Sequence, residues 1–187
     1  MSLVIILAGI PGSGKSTVLE ESVKLFPELK VINYGDMMLN EASMQNIDKD
    51  HLRKLSFSKQ KEIGIAAAKK MAKNMPNIVC IDTHAMIKTP VGYCPGIPEE
   101  VIKILNPDAI SMLECSSSTI YNRRTLDKTR RRDQETLEEI EYHLQISRSF
   151  LIACTAISSA LFAPIQNQGT PLDAAKQFVR LIESLSY

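Results

Sequence analysis

The sequence predicts an α/β protein built on a mostly parallel five-stranded sheet wrapped by helices. Three observations lead there. Apolar β-type runs alternate with segments of helical period in the order β-α-β-αα-β-α-β-α-β-α. The first run, Leu3 to Ala8, is apolar at every position, as a strand buried on both faces requires. Three runs lead directly into glycines or carboxylates (Gly9 onward, Gly35-Asp36 and Asp82), which sets polar groups at the carboxyl edge of such a sheet.

Bulk properties bound the answer. The chain has 187 residues, enough for a single domain, 1–187, with a real core. Hydrophobic residues make up 44% and charged residues 23%, an ordinary globular balance, and the net charge of +1 gives no global drive toward nucleic acid or membrane. No apolar run is long enough to span a bilayer, and no basic region precedes Leu3 to Ile10, so that run is a buried strand and not a signal peptide. The four cysteines, Cys80, Cys94, Cys115 and Cys154, contain no C-x-x-C pair. That spacing argues against a zinc ribbon or redox pair and for reduced, buried thiols in a cytoplasmic protein.

The first strand feeds the stretch Gly9-Ile10-Pro11-Gly12-Ser13-Gly14-Lys15-Ser16-Thr17, which fits the phosphate-binding loop pattern G-x-x-x-x-G-K-[ST]. Its glycines let successive N–H groups point into one concavity, at the start of a helix whose dipole favours an anion. Lys15 has the length to reach the terminal phosphates of a nucleotide, and the Ser16 hydroxyl is placed to ligate Mg²⁺.

A helix over Ser16 to Phe26 follows, ended by Pro27. Val31 to Tyr34 reads as the second strand, with Gly35-Asp36 at its end and a helix from Met37. Asp48 is the expected N-cap of a short basic helix carrying Arg53, and Ser56 or Ser58 starts a long helix to about Asn74 whose Lys and Ala positions suggest an exposed outer element. Asn77 to Asp82 is the third strand. Four apolar residues closing on an acid have the form of a Walker B strand, whose carboxylate holds Mg²⁺ directly or through water.

Thr83 and His84 follow that acid, which makes His84 a candidate for facing a ligand. The stretch from Met86 to Pro98, carrying Lys88, shows no convincing period and reads as a long functional loop. Glu99 to Leu105 is a short helix, Ala109 to Glu114 the fourth strand, and Ser116 to Ser118 offer N-caps for the next helix.

From Arg123 to Asp133, six of eleven residues are basic, in a chain of near-neutral charge. A solvated face or a nucleic-acid patch accounts for such a run, but no aromatic residues interleave with it as a single-strand binder requires. Beside a phosphate loop, an arginine clamp over a transferring phosphoryl group fits better, because arginine is planar, permanently charged and bidentate. A long helix over Gln134 to about Ala160, a fifth strand at Leu161 to Ile165 and a last helix from Pro171 complete the chain. Neither an Asn-Lys-x-Asp tetrapeptide nor an Asp-x-x-Gly after the third strand is present, which argues against a GTPase switch.

The residues alone leave three functions open: a nucleoside monophosphate kinase; a kinase for another small acceptor, with Asp36 the candidate base if that acceptor is a hydroxyl; and a non-catalytic ATP- and RNA-binding protein. Further motifs narrow them. Gly9 to Ser16, Tyr34-Gly35-Asp36, Ile81-Asp82-Thr83-His84-Ala85, Thr89-Pro90 with Gly92-Tyr93 and Pro95-Gly96, and Asp127 with Thr129-Arg130 and Arg132 together resemble the archaeal type of adenylate kinase, in order along essentially the whole chain. The resemblance implies a three-layer P-loop NTPase fold with strand order 2-3-1-4-5, an AMP-binding insertion at about 35–74 and a lid at about 123–134.

The implied reaction is Mg-dependent phosphoryl transfer from ATP to AMP, giving two ADP. The implied partners are ATP and AMP, with no membrane and no nucleic acid, and the implied assembly is a homo-oligomer, the trimer being common in this type. The ATP site falls on Gly9 to Thr17, and the AMP site on Gly35, Asp36, Arg53, Thr83, His84 and Lys88. The implied metal residues are Ser16 and Asp82, the latter through water. Lys15, Arg123, Arg130 and Arg132 carry the implied catalytic roles.

Overall fold

Leu3–Ala8 forms β1, the central strand of the sheet. In the computed structural model, which describes residues 2–127 and 135–186 but not the side chain of Arg53, β1 pairs in parallel with β3 (Ile78–Thr83) on one side and β6 (Ala109–Glu114) on the other. Strand β2 (Lys30–Asn33) lies outside β3, and β7 (Leu161–Phe162) lies outside β6, giving the order β2-β3-β1-β6-β7. The five expected strands therefore stand in the expected spatial order, with one difference of detail. The fifth is divided into β7 and β8 (Ile165–Gln166), both parallel to β6, at its start and its end respectively. Pro164, which has no N–H to donate, lies between them.

Alternation along β1 divides the core into two layers. Val4, Ile6 and Ala8 join one apolar cluster with Met71, Val101, Ile102, Ile140 and Leu151. Ile5 and Leu7 join the other with Val18, Leu19, Phe178 and Ile182. The first cluster is supplied by α4 (Phe57–Lys73), α5 (Glu99–Leu105) and α7 (Leu137–Ser158), the second by α1 (Lys15–Leu25) and α8 (Pro171–Leu185). Helices on both faces of a parallel sheet give the three layers.

Side-chain caps set several helix starts. Ser56 accepts from Lys59 N, Asp48 opens α3 (Lys49–Lys54), and Thr136 and Thr170 form capping boxes with Glu139 and Asp173.

Three local expectations change. Gly35 and Asp36 lie inside the first turn of α2 (Tyr34–Ser43), capped by Asn33, whose side-chain oxygen accepts from Asp36 N at 3.0 Å. Capping by Asn33 starts the helix three residues earlier than the apolar pattern suggested. Helix α4 is not simply an outer helix: Ile63, Gly64, Ala67, Ala68 and Met71 are buried. The expected long loop after Asp82 contains an antiparallel hairpin, β4 (Met86–Thr89) and β5 (Gly92–Pro95), turning at Pro90-Val91. Strands of four residues holding proline and glycine show too little alternation to be read from sequence.

Candidate active site at the sheet edge

The carboxyl ends of β1, β2 and β3 meet at one point. Register pairs Leu7 and Asn33 with Asp82 from either side, and the loop 9–14 rises from the end of β1 into α1. The Lys15 ammonium pairs with Asp82 Oδ1, and Asn33 Nδ2 donates to Asp82 Oδ2 at 2.8 Å. Asp82 is 7% exposed, so this carboxylate is taken from water and held by a cation and an amide.

The loop takes a shape that only glycine accepts easily: Gly12 and Gly14 have φ of 88° and 90°. Ser13 N donates to Ile10 O at 3.1 Å, closing the turn. Among the described residues, the N–H groups of Gly12 and of Gly14 through Thr17 have no hydrogen-bond partner. This set of free donors at a helix start, with Lys15 beside it, is a nest for an anion.

The donor set also fits a hard divalent cation carried by that anion. Ser16 is exposed and its hydroxyl has no partner among the described residues. Each Asp82 oxygen accepts one hydrogen bond and keeps a lone pair for a cation or its water shell. A hydroxyl and a carboxylate beside phosphates suit Mg²⁺, which prefers oxygen donors and retains several waters.

Other expected residues stand around this centre. His84 Nδ1 lies 3.0 Å from Gly9 O, and desolvation first, then the Lys15 charge, hold its imidazole below the ordinary histidine range. Thr83 is buried, with Oγ1 donating to His84 O at 3.4 Å. Gly35 and Asp36 lie next to Asn33 on α2.

Lys88 is on β4, where its ammonium donates to Glu135 Oε1 at 2.9 Å and Glu139 Oε1 at 3.1 Å, two contacts that raise its pKa. Arg123, on α6 (Ser117–Leu126), turns to the loop backbone: Nη1 donates to Ser13 O at 2.9 Å and Nη2 to Asn167 O at 3.3 Å. Arg130 and Arg132 lie outside the described residues, as does the side chain of Arg53.

Four residues at the site escape a sequence reading: Asn33 (which holds Asp82), Arg124, Glu135 and Asn167. Arg124 Nε donates to Pro11 O at 2.8 Å, and its Nη1 pairs with Glu135, so Arg124 ties loop to hairpin through Glu135. Asn167 Nδ2 donates to Ser13 O at 2.7 Å. Arg124 was visible only as one of six clustered bases. Asn167 carried no signal, being 154 residues from its partner.

The fold and this site define a P-loop phosphoryl-transfer protein. A profile of the AAA domain family matches residues 8–141. The adenylate kinase of Methanothermobacter thermautotrophicus is 40% identical over 175 residues, covering 92% of this chain and 94% of that protein. That of Pyrococcus horikoshii is 44% identical over 173 residues, covering 89% and 87%. Among solved structures, a shikimate kinase from Acinetobacter baumannii in complex with shikimate aligns with a TM-score of 0.63 over 99% of this chain and 95% of its own, at 16% identity. That last likeness is one of fold alone. The chain belongs to the adenylate kinase family and carries an AAA domain. Among the described residues no helix is long and apolar enough to cross a membrane.

Proposed function

We propose that this protein transfers the terminal phosphoryl group of ATP to AMP, reversibly and with Mg²⁺, giving two ADP. The observation that carries this function is the group of N–H donors at the sheet edge that have no partner among the described residues, those of Gly12 and Gly14 to Thr17, beside the buried Lys15–Asp82 ion pair. Family membership supports AMP as the acceptor.

In this mechanism the loop from Gly9 to Thr17 holds the ATP phosphates. Lys15 exchanges Asp82 for the phosphoryl oxygens and follows the group in transit. Ser16 and Asp82 would hold the metal, Asp82 through water. Held there, Mg²⁺ would supply charge neutralisation at the phosphates. Gly35, Asp36, Arg53, Thr83, His84 and Lys88 form the acceptor side. Arg130 and Arg132 offset the charge of the transferring group, and Arg123 holds the loop backbone at Ser13 O beside it. An AMP phosphate oxygen is already anionic, so no general base is needed, and positioning with charge neutralisation carries the rate. A homo-oligomer in the cytoplasm, the trimer being one form, completes the assignment; light scattering of the purified protein tests the assembly.

The test is ADP formation from ATP with AMP, CMP, UMP, GMP and a panel of small hydroxyl acceptors. Turnover with AMP that is lost on chelation by EDTA and restored by Mg²⁺ is expected. Turnover only with another acceptor replaces the assignment. Steeply salt-dependent RNA binding without any acceptor-dependent ADP points to the non-catalytic alternative.

A further inference from the structure

The phosphate loop is held from behind at alternate carbonyls. His84 Nδ1 lies 3.0 Å from Gly9 O. Arg124 Nε donates to Pro11 O at 2.8 Å. Ser13 O accepts from Asn167 Nδ2 at 2.7 Å and from Arg123 Nη1 at 2.9 Å, with Cys115 Sγ at 3.9 Å.

Among the described residues no peptide bond is cis. In a trans peptide the C=O and the following N–H point in opposite directions from one plane. A donor on Pro11 O therefore fixes the plane that carries Gly12 N–H and aims that N–H away from Arg124. Donors on Ser13 O do the same for Gly14 N–H. Both N–H groups lack a partner among the described residues.

The glycines serve this backing as well as the nest. A Cβ on Gly12 would lie 3.0 Å from Arg124 Cγ and 3.2 Å from Arg124 Nε, and a Cβ on Gly14 would lie 2.7 Å from Asn167 Nδ2. The side of each glycine that lacks a side chain is the side on which the holding residue approaches. Arg124 is itself anchored. Its side chain is 9% exposed and pairs with Glu135, 11% exposed, whose other oxygen takes Lys88 of β4. Burial opposes ionisation of Glu135, but the two cations outweigh it and its pKa is lowered. A charged, buried anchor keeps the guanidinium from following a phosphate out of place.

We propose that Arg124, anchored by Glu135, and Asn167 are positioning residues that set the peptide planes of the phosphate loop so that Gly12 and Gly14 N–H face the donor phosphates. The inference rests on the loop's binding the ATP phosphates, as proposed above. Neither side chain is needed to touch nucleotide. Their effect reaches catalysis through the loop backbone, a preorganisation that costs nothing at the moment of reaction.

The experiment compares Arg124→Met and Asn167→Leu with wild type. It reads the affinity for inorganic tripolyphosphate by calorimetry and the KM values for ATP and for AMP. Each variant is expected to weaken tripolyphosphate binding and raise KM for ATP about tenfold or more, the range of one hydrogen bond to a charged group. KM for AMP is expected to stay within about twofold, a split that general loosening of the fold would not produce. If a variant fails to fold, Glu135→Gln, which keeps the side-chain volume and removes the anchoring charge, is expected to weaken tripolyphosphate binding by about threefold.

Folded variants that bind tripolyphosphate as wild type does, or that lose ATP and AMP affinity in parallel, overturn the proposal, as does a wild type that does not bind tripolyphosphate. A wild type that binds tripolyphosphate but makes no ADP from AMP overturns the acceptor assignment alone.

Discussion

Lys15 and Asp82 form an ion pair between the first turn of α1 and the end of β3, with side chains only 11% and 10% exposed. Burying both charges is costly unless something rewards it. The pair stores a cation at the mouth of the phosphate nest and keeps it neutralised until an anion arrives. Lys15→Met is expected to lower ADP formation by about 10²–10³-fold, the scale of removing one preorganised charge donor. Asp82→Asn is expected to lower turnover and to raise the Mg²⁺ concentration needed for half-maximal rate. The two losses should be strongly non-additive in the double variant, because each residue serves the other. Steady-state rates with a coupled ADP assay over a Mg²⁺ titration check this.

Tyr34 and Gly64 touch more closely than any side chain at position 64 would permit. Tyr34 is 1% exposed, its hydroxyl has no partner among the described residues, and a Cβ on Gly64 would collide with it. Gly64→Ala is expected to destabilise the protein by about 1–3 kcal/mol through overpacking. Tyr34→Phe removes both the unpaired hydroxyl and the collision, so it should be neutral or stabilising alone and should rescue Gly64→Ala. Urea denaturation of the two single variants and the double reads the coupling.

His143 is 3% exposed, with Nε2 hydrogen bonded to Met86 O at 2.9 Å and Nδ1 without a partner among the described residues. Burial above all holds its pKa below the ordinary histidine value. Between the unfolded and the folded pKa, the unfolded chain binds the proton that the folded chain refuses. The stability His143 contributes is thus fully present above the ordinary histidine pKa and is lost as pH falls through its lowered folded value. His143→Gln, which cannot titrate, is expected to give a shallower fall in unfolding free energy between pH 7 and pH 5. Denaturant midpoints measured across that range test it.

Glu114 ends β6 with a carboxylate that is nearly buried and hydrogen bonded at both oxygens. Oε1 accepts from Arg148 Nε at 2.7 Å and Oε2 from Gln166 Nε2 at 2.9 Å, which joins α7 and β8 to the sheet. Glu114→Ala is expected to cost about 1–3 kcal/mol, because it removes two hydrogen bonds made by a charged, nearly buried carboxylate. The ratio of KM for ATP to KM for AMP should stay unchanged, since neither contact reaches the phosphate loop. Thermal denaturation with steady-state kinetics on the same preparation checks both halves.

Much of the site was legible wherever the chemistry is local in sequence. The glycines, Lys15 and Ser16 lie within one turn of each other, and the apolar run before Asp82 announces a buried strand ending on an acid. Hydrogen bonds that cross the fold left no such trace. Arg124 reaches Pro11 over 113 residues, and Asn167 reaches Ser13 over 154. The hairpin of β4 and β5 was hidden for a different reason. Its strands are four residues long, and their pairing depends on a turn at Pro90-Val91 that the composition presents as a loop.

By itself, the sequence determined the α/β class with its mostly parallel sheet, the phosphate loop and the acid beside it, while the strand order followed only from the resemblance to archaeal adenylate kinases. Periodicity and motif spacing are properties of neighbouring residues, and backbone sterics turn them into structure with little outside help. Only the tertiary structure decided what holds the loop: His84 on Gly9 O, Arg124 on Pro11 O, and Arg123 with Asn167 on Ser13 O. Those donors come from the end of β3, from α6 and from the residue after β8. Packing of the two core layers brings them to one edge, and hydrogen-bond distance, which falls off within a few tenths of an ångström, selects which carbonyl each one holds.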